Sequence, residues 1–145
     1  MAYVLVVDDD GSIRQLLRTL LTGEGHEVGE ASDGAEALTM VEQRMPELIL
    51  LDLNMPGMHG WRFLDELYTR GLRERTRVIV VSAHAELGAP RSISPRRVLA
   101  KPFELDALLE LVAQTLAEEP RAIREQSDRS QALLGLLAKV ERVLG

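Results

Sequence analysis

Four short apolar runs, each closing on a polar residue, constrain this chain more than anything else in it: residues 3–7 before Asp8, 48–51 before Asp52, 78–81 before Ser82 and 98–100 before Lys101. Between them lie longer stretches of helical period or of turn-forming residues. Short β-branched or aliphatic runs alternating with amphipathic helices are the rhythm of a parallel α/β sheet, because a parallel strand pair needs a long crossover. The run 48–51, Leu-Ile-Leu-Leu, is apolar throughout, as a strand covered on both faces must be. In such a sheet the carboxyl ends of the strands share one edge, which brings Asp8, Asp9 and Asp52 to a common crevice with Lys101.

The spacing predicts a helix over 12–22 with Ile13, Leu16, Leu17, Leu20 and Leu21 inward, stopped by Gly23 and Gly25. Asp10 is placed to cap it. A weaker strand follows at 27–31, then a helix capped by Asp33 whose Ala37, Leu38 and Val41 face the core before Pro46 intervenes. Trp61, Leu64, Leu67 and Tyr68 form the apolar side of a third helix ending near Gly71. A last helix over 104–117 carries Leu105, Leu108, Leu109, Val112 and Leu116. The fold class is therefore α/β, a doubly wound five-stranded parallel sheet with right-handed crossovers.

Composition excludes several alternatives. At 145 residues and 46% hydrophobic content the chain can bury one substantial core but hardly two. A net charge of -6 argues against a broad electrostatic grip on nucleic acid. The absence of cysteine excludes disulfides and thiolate metal sites and suits a cytoplasmic setting. No run is long enough for a membrane span or a signal peptide. His26, His59 and His84 fall in loops and do not make a metal cluster.

Composition changes after Ala117, dividing the chain into a main domain at 1–117, a linker at 118–121 and an amphipathic helix at 122–145. In that helix Leu133, Leu137, Val140 and Leu144 form a stripe of less than two heptads. Packing on its own domain and homodimer formation through this stripe carry equal weight. About 25 residues are too few for a helix-turn-helix core, so direct DNA binding is not expected.

Four motifs occur in order: Val-Leu-Val-Val-Asp-Asp-Asp at 4–10, Asp-Leu-Asn-Met-Pro-Gly-Met-His-Gly at 52–60, Val-Val-Ser-Ala at 80–83 and Lys-Pro-Phe at 101–103. Each alone is weak, but together the chain resembles the receiver domain of bacterial two-component response regulators, the CheY-like family. The resemblance implies a flavodoxin-like sheet and a cis bond between Lys101 and Pro102. It makes Asp52 the phosphoacceptor, with Lys101 pairing the acyl phosphate and Ser82 swinging toward the phosphoryl group after modification. It further implies Mg²⁺ bound by Asp9, Asp52 and the backbone carbonyl of Asn54, with Asp8 acting through a bound water. Asn54 and His84 take the positions that flank the phosphoryl group and tune its lifetime. The implied partners are a histidine kinase or phosphotransfer protein as donor and a downstream protein target, in a self-modifying signalling domain rather than a turnover enzyme.

The chemistry requires these residue types, since a carboxylate attacks an anionic phosphoryl group only when a hard cation and positioned donors offset the charge. Asp8, Asp9 and Asp52 with Lys101 sum to two negative charges, which suits one such cation. Two departures from the family pattern stand out. Val98 replaces the usual aromatic, and the 84–97 stretch carries Gly88, Pro90 and Pro95, predicting a shortened or irregular fourth helix. Arg91, Arg96 and Arg97 in that stretch form either a basic rim or a solvated face.

Two rival functions use the same residues. Asp8-Asp9-Asp10-Gly11-Ser12 also resembles the nucleophile motif of haloacid-dehalogenase-type phosphohydrolases, with Asp8 as nucleophile and Asp10 as acid/base. That assignment lacks a later acidic pair and leaves Asp52 unexplained. The other rival is a receiver-shaped binding scaffold that is never phosphorylated.

Overall fold

The computed structural model describes residues 1–55, 57–58, 60–83 and 97–118. In chain order these form β1 (Tyr3–Val7), α1 (Gly11–Gly23), β2 (Glu27–Ala31), α2 (Gly34–Gln43), β3 (Leu48–Leu51), α3 (Gly60–Thr69), a 3-10 turn (Arg73–Arg75), β4 (Arg77–Ser82), β5 (Val98–Ala100) and α4 (Leu105–Ala117). All strand pairs are parallel, in the order β2-β1-β3-β4-β5. This is the flavodoxin-like, doubly wound arrangement, whose crevice opens where the order reverses beside β1. The shortened fourth helix and the helix at 122–145 concern residues outside those described.

Alternation along the strands divides the core into two layers. Leu5, Val7, Ile49, Leu51, Val78 and Val80 point to one face and pack with Ala37, Leu38 and Val41 of α2 and Phe63, Leu64 and Leu67 of α3. Val4, Val6, Leu48, Leu50, Ile79 and Val81 point to the other and meet Leu17 and Leu21 of α1 and Leu108 and Val112 of α4. Each large buried side chain contributes about 1.5–3 kcal/mol over its exposed state. All four residues of β3 are buried, as the sequence requires of a central strand.

Both expected caps are present. The Asp10 carboxylate accepts from Ser12 N and Ile13 N. Asp33 accepts from Glu36 N at 2.8 Å, while the Glu36 carboxylate reaches back to Ser32 N and Oγ. Such caps stabilise a helix by about 1 kcal/mol each. Gly71, at φ +70, takes the left-handed conformation that follows α3. Among the described residues no helix is long and apolar enough to cross a membrane.

The helix faces need correction at four positions. Trp61 and Tyr68 are 47% and 68% exposed, because α3 turns Gly60, Phe63, Leu64 and Leu67 inward instead. Two stripes of helical spacing share Leu64 and Leu67, and the close approach of Gly60 to Asp52 and Leu53 after β3 selects the one that includes Phe63. Leu16 is exposed one position before buried Leu17, and exposed Leu105 is the first residue of α4, ahead of the turns that reach the sheet. Arg97 belongs neither to a basic rim nor to a solvated face. Its side chain is largely buried, donates to Thr115 Oγ1 and pairs with Glu118, tying the start of β5 to the end of α4. Arg91 and Arg96 lie outside the described residues.

Candidate functional site

The parallel ladder continues one residue beyond the strands, and that continuation gathers the site. Asp8 N donates to Ala31 O at 3.1 Å, Asp52 N to Val7 O at 2.9 Å and Lys101 N to Ser82 O at 3.0 Å. Since Val7 pairs with Leu51 in the register, the residues that follow them, Asp8 and Asp52, emerge side by side. Ser82 ends β4 opposite Ala100 and is buried at the same edge. The Lys101–Pro102 peptide is cis.

From these positions the side chains converge. Lys101 Nζ donates to Asp8 Oδ2 at 2.6 Å and lies 3.5 Å from Asp52 Oδ2. Asp8, Asp9 and Asp52 each offer a carboxylate oxygen within 4.8 Å of the others. Asp8 and Asp52 are buried and Asp9 is exposed. Asp8 Oδ1 accepts from Asp10 N at 2.9 Å, so both Asp8 oxygens are engaged. Asp52 Oδ1 accepts from Asn54 N at 3.1 Å, which leaves Oδ2, at the long distance from Lys101, as its less committed oxygen.

The electrostatics follow from this packing. Burial pushes the Asp52 carboxyl above its ordinary range and the Asp8 charge adds to the rise, against the Asn54 amide and Lys101. Burial alone would lower the Lys101 ammonium, but its bond to Asp8 and the charges of Asp8 and Asp52 outweigh that and hold it above the usual lysine value. Among the described residues the site therefore stores like charge beside a single compensating amine. A hard cation would fit the donor set, since Asp8, Asp9 and Asp52 offer carboxylate oxygens within 4.8 Å of one another and such an ion takes oxygen ligands. With both its oxygens already bonded, Asp8 suits contact through water, while Asp9 and Asp52 keep oxygens available.

Gly60 shows how tightly this edge is built. Its N donates to Leu53 O at 3.1 Å. A Cβ there would lie 2.5 Å from Asp52 O and 2.6 Å from Leu53 Cα. Gly60→Ala must push α3 away from the Asp52 loop, with an expected loss of about 1–3 kcal/mol. Urea unfolding measures it, and an unchanged midpoint would mean that the loop yields freely.

The sequence-selected residues Asp8, Asp9, Asp52 and Lys101 are thus brought together by their side chains, and Ser82 and Asn54 reach the same edge through the backbone. His59 and His84 lie outside the described residues, and His26 Nδ1 accepts from Ala2 N at 3.3 Å, away from the acids. One residue at the site was not singled out from the sequence. Arg14 of α1 donates from Nη1 to the Asp8 carbonyl at 2.7 Å. Its position one turn past the Asp10 cap was the available signal.

Comparison with known proteins agrees with this geometry. The family model for the response regulator receiver domain matches residues 4–113. Sporulation initiation phosphotransferase F of Bacillus subtilis is 34% identical over 116 residues, covering 78% of this chain and 92% of that protein. The DNA-binding transcriptional regulator NtrC of Escherichia coli is 33% identical over 129 residues, and there the match covers 83% of this chain but only 27% of NtrC. Among solved structures, TrrA of Thermotoga maritima in complex with Mg²⁺ and BeF superposes with a TM-score of 0.70 at 31% identity, over 79% of this chain and 99% of TrrA. The parallel sheet, the acid cluster at its edge and these matches lead to one conclusion: the chain belongs to the response regulator receiver domain family of two-component signalling.

Proposed function

We propose that this receiver accepts a phosphoryl group on Asp52 from the phosphohistidine of a kinase or phosphotransfer protein, and signals through phosphorylation-dependent protein contacts. The observation that carries this reading is the convergence of the Asp8, Asp9 and Asp52 carboxylates within 4.8 Å, with Lys101 bonded among them. An Asp52 carboxylate oxygen forms the new O–P bond as the P–N bond of the donor breaks, and the electron pair leaves with the imidazole. Lys101 meets the negative charge on the transferred group, and the Asn54 amide steadies the attacking carboxylate. A Mg²⁺ ion held by Asp9, Asp52 and the Asn54 carbonyl, with Asp8 through water, supplies charge screening when bound. Ser82 completes the set as the hydroxyl that engages the modified aspartate. Main-domain boundaries at 1–117 and a cytoplasmic setting accompany this reading, as does a role in self-modification rather than turnover.

The hydrolase assignment is disfavoured by the duties of its residues. Asp8 is buried with both oxygens bonded, and the Asp10 carboxylate caps α1. Incubation with acetyl phosphate and Mg²⁺, followed by peptide mass spectrometry, separates the two. A labile adduct on Asp52 is expected; an adduct on Asp8 with steady phosphate release would establish the hydrolase, and no adduct on any aspartate would favour the unphosphorylated scaffold.

A further inference from the structure

The acid cluster has one exposed member, Asp9, and among the described residues no side chain holds its carboxylate. Its direction must come from the backbone on either side. Asp10 is pinned because its N donates to Asp8 Oδ1 at 2.9 Å and its carboxylate caps α1. On the other side stands the Asp8–Asp9 peptide, whose carbonyl accepts from Arg14 Nη1 at 2.7 Å. Arg14 is anchored in turn, with Nε 3.4 Å from Glu30 Oε1 at the end region of β2. Arg18 meets the other oxygen of Glu30 at 2.6 Å but makes no such bond to Asp8.

We propose that Arg14 is a positioning residue for the divalent cation: one arm of its guanidinium holds the Asp8 carbonyl, another holds Glu30, and together they set the direction in which Asp9 presents its carboxylate. The peptide plane transmits the constraint. In a planar trans peptide, fixing the carbonyl also fixes the following N–H and the Cα that bears the Asp9 side chain. The planar fork suits this task, since a single ammonium cannot span both acceptors with the same geometry. The inference rests on the reading of Asp9 and Asp52 as cation ligands.

Its sign separates it from a simple charge effect. Removing a positive charge beside an acidic pocket should tighten Mg²⁺ binding, whereas losing a positioning bond should weaken it. Mg²⁺ titration by calorimetry on the full chain, at fixed ionic strength, compares wild type with Arg14→Gln, Arg14→Lys and Arg18→Gln. The expected result is about tenfold weaker binding for Arg14→Gln, a smaller loss for Arg14→Lys despite its retained charge, and no loss for Arg18→Gln. Arg14→Gln binding as tightly as wild type or tighter would overturn the proposal, as would wild-type affinity in Arg14→Lys or an equal loss in Arg18→Gln. Melting in EDTA shows which variants are folded, and Arg14→Lys carries the test if Arg14→Gln is not. Wild type failing to bind Mg²⁺ would instead sink the cation site itself.

Discussion

An Asp52→Asn protein is expected to take no phosphoryl group from acetyl phosphate and, in EDTA at neutral pH, to melt above the wild type. The amide has no carboxylate oxygen to form the acyl phosphate, so the labile adduct disappears from the mass spectrum altogether. The gain in stability has a separate cause. Asp52 is 6% exposed, and burial with the neighbouring Asp8 charge raises its pKa in the fold. A carboxyl raised in this way favours folding below the ordinary carboxylate range, and that contribution is lost as pH rises through its folded-state value. At neutral pH the ionised group therefore burdens the fold, and the neutral amide does not. The melting difference between variant and wild type should narrow as pH falls through that window. Mg²⁺ should raise the wild-type midpoint more than the variant's, because a ligand stabilises the state that binds it. A labile adduct surviving on Asp52→Asn would remove the acceptor assignment, and a lower midpoint in EDTA would refute the electrostatic account.

Such a site was legible in the sequence to the extent that backbone topology determines it. Four apolar runs predicted the four strands that carry the site, because strand ends in a parallel sheet must lie together whatever the details of packing. The cap residues Asp10 and Asp33 were equally legible, since their signal is local. Helix faces were less so. In α3 two apolar stripes were consistent with the same period, and only the tertiary contact of Gly60 with the Asp52 loop decides that Phe63 enters the core while Trp61 and Tyr68 face out. Arg14 and Arg97 were hidden for a related reason. An arginine on an amphipathic helix or in a polar stretch looks solvated until its distant acceptors, the Asp8 carbonyl in one case and Thr115 and Glu118 in the other, have been placed by the fold.

Lys101→Met should have the opposite effect on stability, lowering the unfolding free energy of the cation-free protein by about 3 kcal/mol and its midpoint by roughly 10 °C. Among the described residues the ammonium is the one cation bonded to the carboxylates of the two buried acids, at 2.6 Å from Asp8 and 3.5 Å from Asp52. Removing one partner of a buried pair leaves the other charged and uncompensated, which is what makes the loss large. Because Lys101 is held above the usual lysine value, its contribution is fully present below that value and is lost as pH rises through the folded-state pKa. The deficit of the variant should thus stay constant through neutral and mildly alkaline pH and shrink only in strong alkali. Mg²⁺ places a second source of positive charge among the same acids, so saturating Mg²⁺ should recover more stability in Lys101→Met than it adds to wild type. That asymmetry is the discriminating result: if Mg²⁺ stabilises both proteins equally, the amine and the cation do not act on a shared set of carboxylates. Double substitution sharpens the test. Once Asp52 is asparagine, the Lys101→Met change leaves one buried acid uncompensated rather than two, and its loss should be smaller than in the wild-type background.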